Sequence, residues 1–152
     1  MIQMNEEDGR QRELHRICEG YPILAVYLFG SMSNEGVDLL NNKQPVTIDP
    51  LADVDVGVVF LQPVSDTKER IRLYGKIYSD LSDLFSPIPL DLVFLQETGV
   101  IIQAEAINGQ LIYSRDDDRR TDYEEMVIKL YQDWKPVYDL YTKEVLEAIN
   151  RR

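Results

Sequence analysis

The chain has 152 residues, is 44% hydrophobic and 28% charged, and carries a formal net charge of −11. That size suits one domain, residues 1–152, with a real hydrophobic core. The acidity speaks against binding duplex nucleic acid or an anionic membrane, both of which call for a basic face.

In chain order, Asp8 to Glu19 reads as a short helix with Leu14, Ile17 and Cys18 on one face, ended by Gly20 and Pro22. Ile23 to Phe29 is short, apolar and bounded by breakers, the pattern of a buried strand. Met32 to Ala52 is irregular, with Asn41-Asn42, Pro45 and Pro50, and predicts a short helix followed by an exposed loop. Val54 to Leu61 reads as a second strand closed by Pro63. Asp66 to Phe85 predicts a helix with Ile71, Tyr74, Ile77, Tyr78, Leu81 and Leu84 at helical spacing. A third strand is expected over Ile88 to Leu95, a short helix over Thr98 to Ala106 stopped by Asn108-Gly109, and an edge strand over Gln110 to Tyr113.

The acidic run Asp116 to Asp118 is placed to cap a final helix, where negative charge at the N-terminus is favourable. That helix has the strongest periodicity of the chain, stepping by three or four from Tyr123 to Ile149, with Pro136 expected to kink or break it. Its Trp134 and tyrosines read first as core residues. The apolar positions nevertheless exceed what one stripe needs, and the surplus is expected to form a partner surface. Strands alternating with helices indicate an α/β or α+β layer fold: a mixed sheet flanked by helices, with a long C-terminal helix.

Cys18 is the sole cysteine, so no internal disulfide forms, and a reducing compartment fits. It reads as a small packing residue. The start, Met1 to Asp8, is polar and acidic, unlike a signal peptide. No apolar run approaches the roughly 20 residues that span a bilayer. Cytoplasmic localisation is the expectation. His15, the only histidine, lies on the polar side of its helix and cannot build a histidine-based metal site alone.

Three aspartates carry the chemistry. Asp53 and Asp55 are two apart at the start of an otherwise apolar strand, so they project to one side. Asp91 interrupts a second apolar strand. Half-buried carboxylates are costly unless paired or metal-bound, and three that repel one another call for a cation. Hard oxygen ligands of this kind suit Mg²⁺ held jointly with substrate phosphates. Gly30 and Ser31 follow the first strand; the glycine permits close approach of backbone to a phosphate, and the serine hydroxyl with the N–H groups opening the next helix can hold phosphate oxygens. The combination describes a site for metal-assisted nucleotidyl or phosphoryl transfer.

Leu28-Phe-Gly-Ser31, Pro50-Leu-Ala-Asp-Val-Asp-Val-Gly-Val-Val-Phe60 and Leu90-Asp-Leu-Val-Phe94 together resemble the three signatures of the polymerase-β-type nucleotidyltransferases. They are most similar to the minimal nucleotidyltransferases, MntA-like partners of HEPN proteins. The tail Ala104 to Tyr113, followed by a long helix, is similar to the same group. The resemblance implies the polymerase-β-like fold, two Mg²⁺ ions, and transfer of AMP from ATP to a hydroxyl of a protein partner, a HEPN ribonuclease toxin that the transferase neutralises as antitoxin. Carried over, Gly30 and Ser31 would grip the triphosphate, Asp53 and Asp55 would hold both metals, and Asp91 would hold the catalytic metal and help activate the acceptor hydroxyl. The chain departs from the family in the long Met32 to Ala52 segment, in Met32-Ser33-Asn34 where a basic residue usually follows the Gly-Ser pair, and in Ala52 where a serine often stands. Two alternatives stay open: a non-catalytic antitoxin or binding module of the same fold, and transfer to a small molecule. A homo-oligomer is compatible with either.

Overall fold

The computed structural model describes residues 9–45 and 49–151. Its elements are α1 (Gly9–Glu19), β1 (Ile23–Phe29), α2 (Ser33–Leu40), β2 (Val54–Phe60), α3 (Thr67–Phe85), β3 (Leu90–Phe94), α4 (Val100–Ile107), β4 (Gln110–Ser114) and α5 (Asp117–Asn150). A single 3₁₀ turn, Leu95–Glu97, follows β3. The strands form one sheet in the order β3-β2-β1-β4. β1 lies antiparallel to both β2 and β4, while β2 and β3 run parallel, so the sheet is mixed.

Each sheet face buries its own cluster. On one, α1, α2 and α3 pack Leu14, Leu40, Ile77, Leu81 and Phe85 over Val26, Leu28, Val54, Val56 and Val58. On the other, α4 and the first turns of α5 pack Ala104, Ala106, Tyr123 and Val127 over Ala25, Tyr27, Phe29 and Val59. All seven residues of β1 are buried because it is central and covered on both sides. Two arginines tie helix ends and the turn after α1 to the body by donating to backbone carbonyls there. Arg10 donates to Leu39 O (3.2 Å) and Leu84 O (3.0 Å), closing the C-termini of α2 and α3. Arg115 donates to Cys18 O (3.0 Å), Tyr21 O (2.7 Å) and Ile23 O (2.7 Å), fixing the turn from α1 into β1. Cys18 is fully buried, and burial pushes its thiol up to about 12, in keeping with a packing role.

Most element bounds agree with the sequence reading, and four points need correction. First, the third strand is shorter than Ile88 to Leu95, because Leu95 already turns into the 3₁₀ segment. Second, α3 buries Leu73, Ile77, Leu81, Leu84 and Phe85, whereas Ile71 is 63% and Tyr78 40% exposed. The buried stripe runs through Leu73 and is rotated from the one that sequence spacing suggests; Tyr74 lies edge-on to Phe94 at 5.5 Å, and Tyr78 stacks on Tyr74. Third, α5 runs without a break through Pro136. Proline lacks the N–H that would bond the carbonyl four residues back, Gln132, but both residues are exposed, so water can serve that carbonyl. Fourth, the aromatic residues of α5 are not chiefly core. Tyr123 is buried, but Tyr138 and Tyr141 are exposed, and half-buried Trp134 stacks on Tyr138 at 4.6 Å. Asp116 caps this helix as expected, accepting from the N–H groups of Asp118 (3.1 Å) and Arg119 (3.2 Å). Residues 46–48 of the expected exposed loop, and Asp8 of the first helix, lie outside the described residues.

The α3 stripe is directly testable. Ile77→Ala removes a side chain buried to 0% and is expected to cost about 2–4 kcal/mol in urea unfolding, while Ile71→Ala is expected to change stability by no more than about 0.5 kcal/mol.

Candidate functional site

The parallel pairing of β2 and β3 sets Asp55 opposite Asp91, one residue into each strand. Asp55 alternates with buried Val54 and Val56, so it emerges on the sheet face that carries α4 and α5. That pairing places the Asp91 carboxyl beside Asp55, where it favours a proton on Asp55. Partial burial, hydrogen bonding with the Asp91 carboxyl and the charges of Asp91, Asp53 and Glu105 push Asp55 up from 3.8 to about 6. Each of these influences disfavours a second negative charge.

β1 supplies the opposing wall. Its last residue, Phe29, pairs with Asp55, and Gly30 follows with φ +74°. The positive φ favours glycine here, and a Cβ at Gly30 would displace the Asp55 carboxylate oxygen Oδ2. Gly109 has a comparable role at the start of β4, where a Cβ would strike the Leu28 carbonyl. Between them opens a cleft of about 500 Å³ lined by Phe29, Gly30, Ser33, Glu105, Asn108 and Gly109.

The structure therefore brings together Gly30, Asp55 and Asp91. Asp53 is exposed in the segment before β2 and reaches Asp55 through its charge. Ser31 is exposed in the turn before α2, and the serine lining the cleft is Ser33. Glu105, Ser33, Asn108 and Gly109 were not singled out by sequence reasoning. Asn108-Gly109 carries a signal, since a glycine directly before a strand marks either a turn or a close backbone approach. Glu105 carries none, because it comes from a helix whose position over Asp55 depends on the whole topology.

Among the described residues, no group of three or more His, Cys, Asp or Glu side chains is gathered so as to hold a metal ion by itself. The donor chemistry nonetheless fits a hard cation. Asp55 and Asp91 are adjacent oxygen ligands whose mutual repulsion a cation would relieve, and Mg²⁺ characteristically binds one or two carboxylates together with substrate phosphates rather than a complete protein cage.

The family model described as polymerase beta, nucleotidyltransferase matches residues 12–118, which contain β1, β2, β3, the cleft and all three aspartates. The chain belongs to the polymerase-β nucleotidyltransferase family. Solved structures repeat its fold. A toxin–antitoxin complex with AMP-PNP is similar with a TM-score of 0.62 and 18% identity, covering 90% of this chain and 98% of that one. The tri-AMPylated HEPN toxin of Shewanella oneidensis in complex with MNT antitoxin gives 0.60 and 16%, covering 92% and 98%. The toxin–antitoxin complex MntA–HepT gives 0.60 and 15%, covering 91% and 98%. None of the curated proteins compared with the chain matches it. At these identities the likeness is one of fold, and this nucleotidyltransferase fold positions the Asp55–Asp91 pair as derived above.

The electrostatics give a signed prediction for the metal-free chain. The folded state holds the Asp55 proton to higher pH than the unfolded chain does. This group's stabilisation is therefore complete below about 3.8 and is withdrawn as pH rises through about 6. Asp55→Asn is expected to remove that decline and to raise stability at pH 7.5 by about 0.5–1 kcal/mol, the modest size reflecting solvent screening. Urea unfolding of both proteins at pH 4.5 and 7.5 checks this. Gly30→Ala, by contrast, is expected to destabilise by about 1–3 kcal/mol in the same assay.

Proposed function

We propose that this chain is a Mg²⁺-dependent nucleotidyltransferase, a single domain over residues 1–152, that transfers AMP from ATP to a hydroxyl of a protein partner. The observation that carries the reading is the placement of Asp55 beside Asp91 against the glycine turn at Gly30, on the rim of an open cleft. Asp53, Asp55 and Asp91 are the residues that would hold metal, two ions in the full reading. Bound Mg²⁺ would neutralise charge on the triphosphate and make its α-phosphorus open to attack. The backbone after Gly30 and the start of α2 would seat the triphosphate, with Ser31 and Ser33 as hydroxyl donors. Asp91 would orient the acceptor hydroxyl and draw off its proton as the oxygen bonds to phosphorus and pyrophosphate leaves.

The partner proposed is a HEPN-type helical protein, which this chain would neutralise as an antitoxin. Support comes from the similarity in fold to antitoxins solved with HEPN toxins, one of which is tri-AMPylated. A buried, unpaired cysteine and the absence, among described residues, of a helix long and apolar enough to cross a membrane are in keeping with a cytoplasmic setting. The exposure of Ser31 and the lack of a basic residue behind it favour a second reading, in which the same fold neutralises its partner by occlusion alone.

Radiolabelled ATP, Mg²⁺ and a HEPN-type protein encoded beside this chain separate the two. Wild type is expected to label a hydroxyl side chain of that protein, most simply a tyrosine, with loss of at least about a thousandfold in rate for Asp53→Asn and for Asp55→Asn. Mg²⁺ with ATP should also raise the melting temperature of wild type and not of the variants. Binding without label would establish occlusion. Label on neither, with the melting shift intact, would point to a small-molecule acceptor.

A further inference from the structure

The apolar stripe of α5 does not end where the body of the protein does. Tyr123, Val127 and half-buried Tyr131 face the core, and the same face continues through Trp134, Tyr138 and Tyr141 and on to Val145 at spacings of three and four. Beyond Tyr131 the described residues leave it largely uncovered: Tyr141 is 65% exposed and Val145 39%. At 1.5 Å per residue, the stretch from 132 to 150 is an arm roughly 28 Å long.

The arm leaves at the catalytic end. Arg119 donates to Leu61 O (2.8 Å), just past the end of β2 that lies remote from Asp55. Glu124 then accepts from the hydroxyl of Tyr27, whose strand partner is Gly57. The helix thus advances along the sheet toward the row of Phe29 and Asp55, on the face to which Asp55 projects, and its exposed half extends past that row.

The site is short of positive charge. No Lys or Arg occurs between Lys76 and Arg115, which includes β3, α4 and β4, and Lys43 is the sole basic residue between Arg16 and Lys68, which includes β1, α2 and β2. Lys43 lines a separate hollow with Arg10, Ser86 and Pro87. Of the arm's two lysines, Lys143 falls on the side of the helix opposite the stripe and Lys135 on its flank. A nucleoside triphosphate in the cleft would meet Glu105 in its lining and the Asp55–Asp91 pair beside Gly30, and no Lys or Arg is among the lining residues.

Resting on the adenylyl-transfer reading above, we propose that the exposed face of α5 beyond Tyr131 docks a helical protein whose contact surface is basic, and that this protein lends a Lys or Arg to the nucleotide cleft. The stripe's alternating three- and four-residue spacing matches the seam that one helix presents to another. The acidic end of the sheet selects a partner of opposite charge. The acceptor would then complete the site it is modified by, so transfer waits for the correct partner.

The test uses the full chain, a HEPN-type helical protein and AMP-PNP with Mg²⁺. Tyr141→Asp, at a solvent-exposed position away from the cleft, should weaken the complex at least tenfold in a Trp134 fluorescence titration with its unfolding curve unchanged. AMP-PNP should bind the complex at least tenfold more tightly than it binds the free chain, and replacing by Gln the partner's Lys and Arg residues nearest its modified hydroxyl should erase that gain. Wild-type binding by Tyr141→Asp, failure of the helical protein to bind, or equal nucleotide affinity of free chain and complex would each overturn the proposal. If Tyr141→Asp breaks the complex and the nucleotide gain is present but no label transfers, docking stands and the transfer reading is what fails.

Discussion

Two carboxyl groups held side by side on neighbouring parallel strands cannot both ionise freely, and the site is arranged around that constraint. The β2–β3 register fixes Asp55 opposite Asp91 and leaves neither strand free to separate them. Gly30, with its positive φ and no side chain, presses the backbone of the first turn against Asp55. Glu105 adds further negative charge from α4. A structure selected for stability alone would not gather acids in this way; the arrangement becomes favourable when a cation enters. The cost is tolerated because both sheet faces are covered, giving the strands two apolar clusters to hold them in register.

The same two-faced sheet accounts for the uneven burial of α5. α1, α2 and α3 complete one face, while α4 and only the first part of α5 complete the other. The rest of α5 carries an apolar stripe that the described residues leave largely exposed. Buried and exposed segments of one continuous stripe thus lie on a single helix.

The fold was largely legible in the sequence where punctuation was strong. β1 was read at its observed bounds because Pro22 and Gly30 flank an unbroken apolar run, and α5 announced itself through its acidic cap and long periodicity. What was misread depended on partners distant in sequence. α3 offers apolar residues on more than one side, and the sheet chooses the Leu73–Ile77–Leu81 face over Ile71 and Tyr78. Pro136 lies in an exposed stretch of α5, where the carbonyl of Gln132 is open to water. At the site, the sequence grouped Asp53, Asp55 and Asp91, but the register that pairs Asp55 with Asp91 and leaves Asp53 before β2 follows from the order β3-β2-β1-β4, which no local pattern encodes. Ser33, Asn108 and Glu105 were missed for the same reason: their nearness to the cleft is a property of the assembled layers.

The central claim is that Asp55 and Asp91 form a cation site for a nucleotide. Anomalous diffraction from crystals grown with Mn²⁺ and AMP-PNP measures this most directly. The account predicts a peak at the Asp55–Asp91 pair, with metal–oxygen distances near about 2.1 Å and phosphate oxygens completing the coordination. A nucleotide bound in the cleft with no peak at these two carboxyls, or a peak held by other residues, would contradict it.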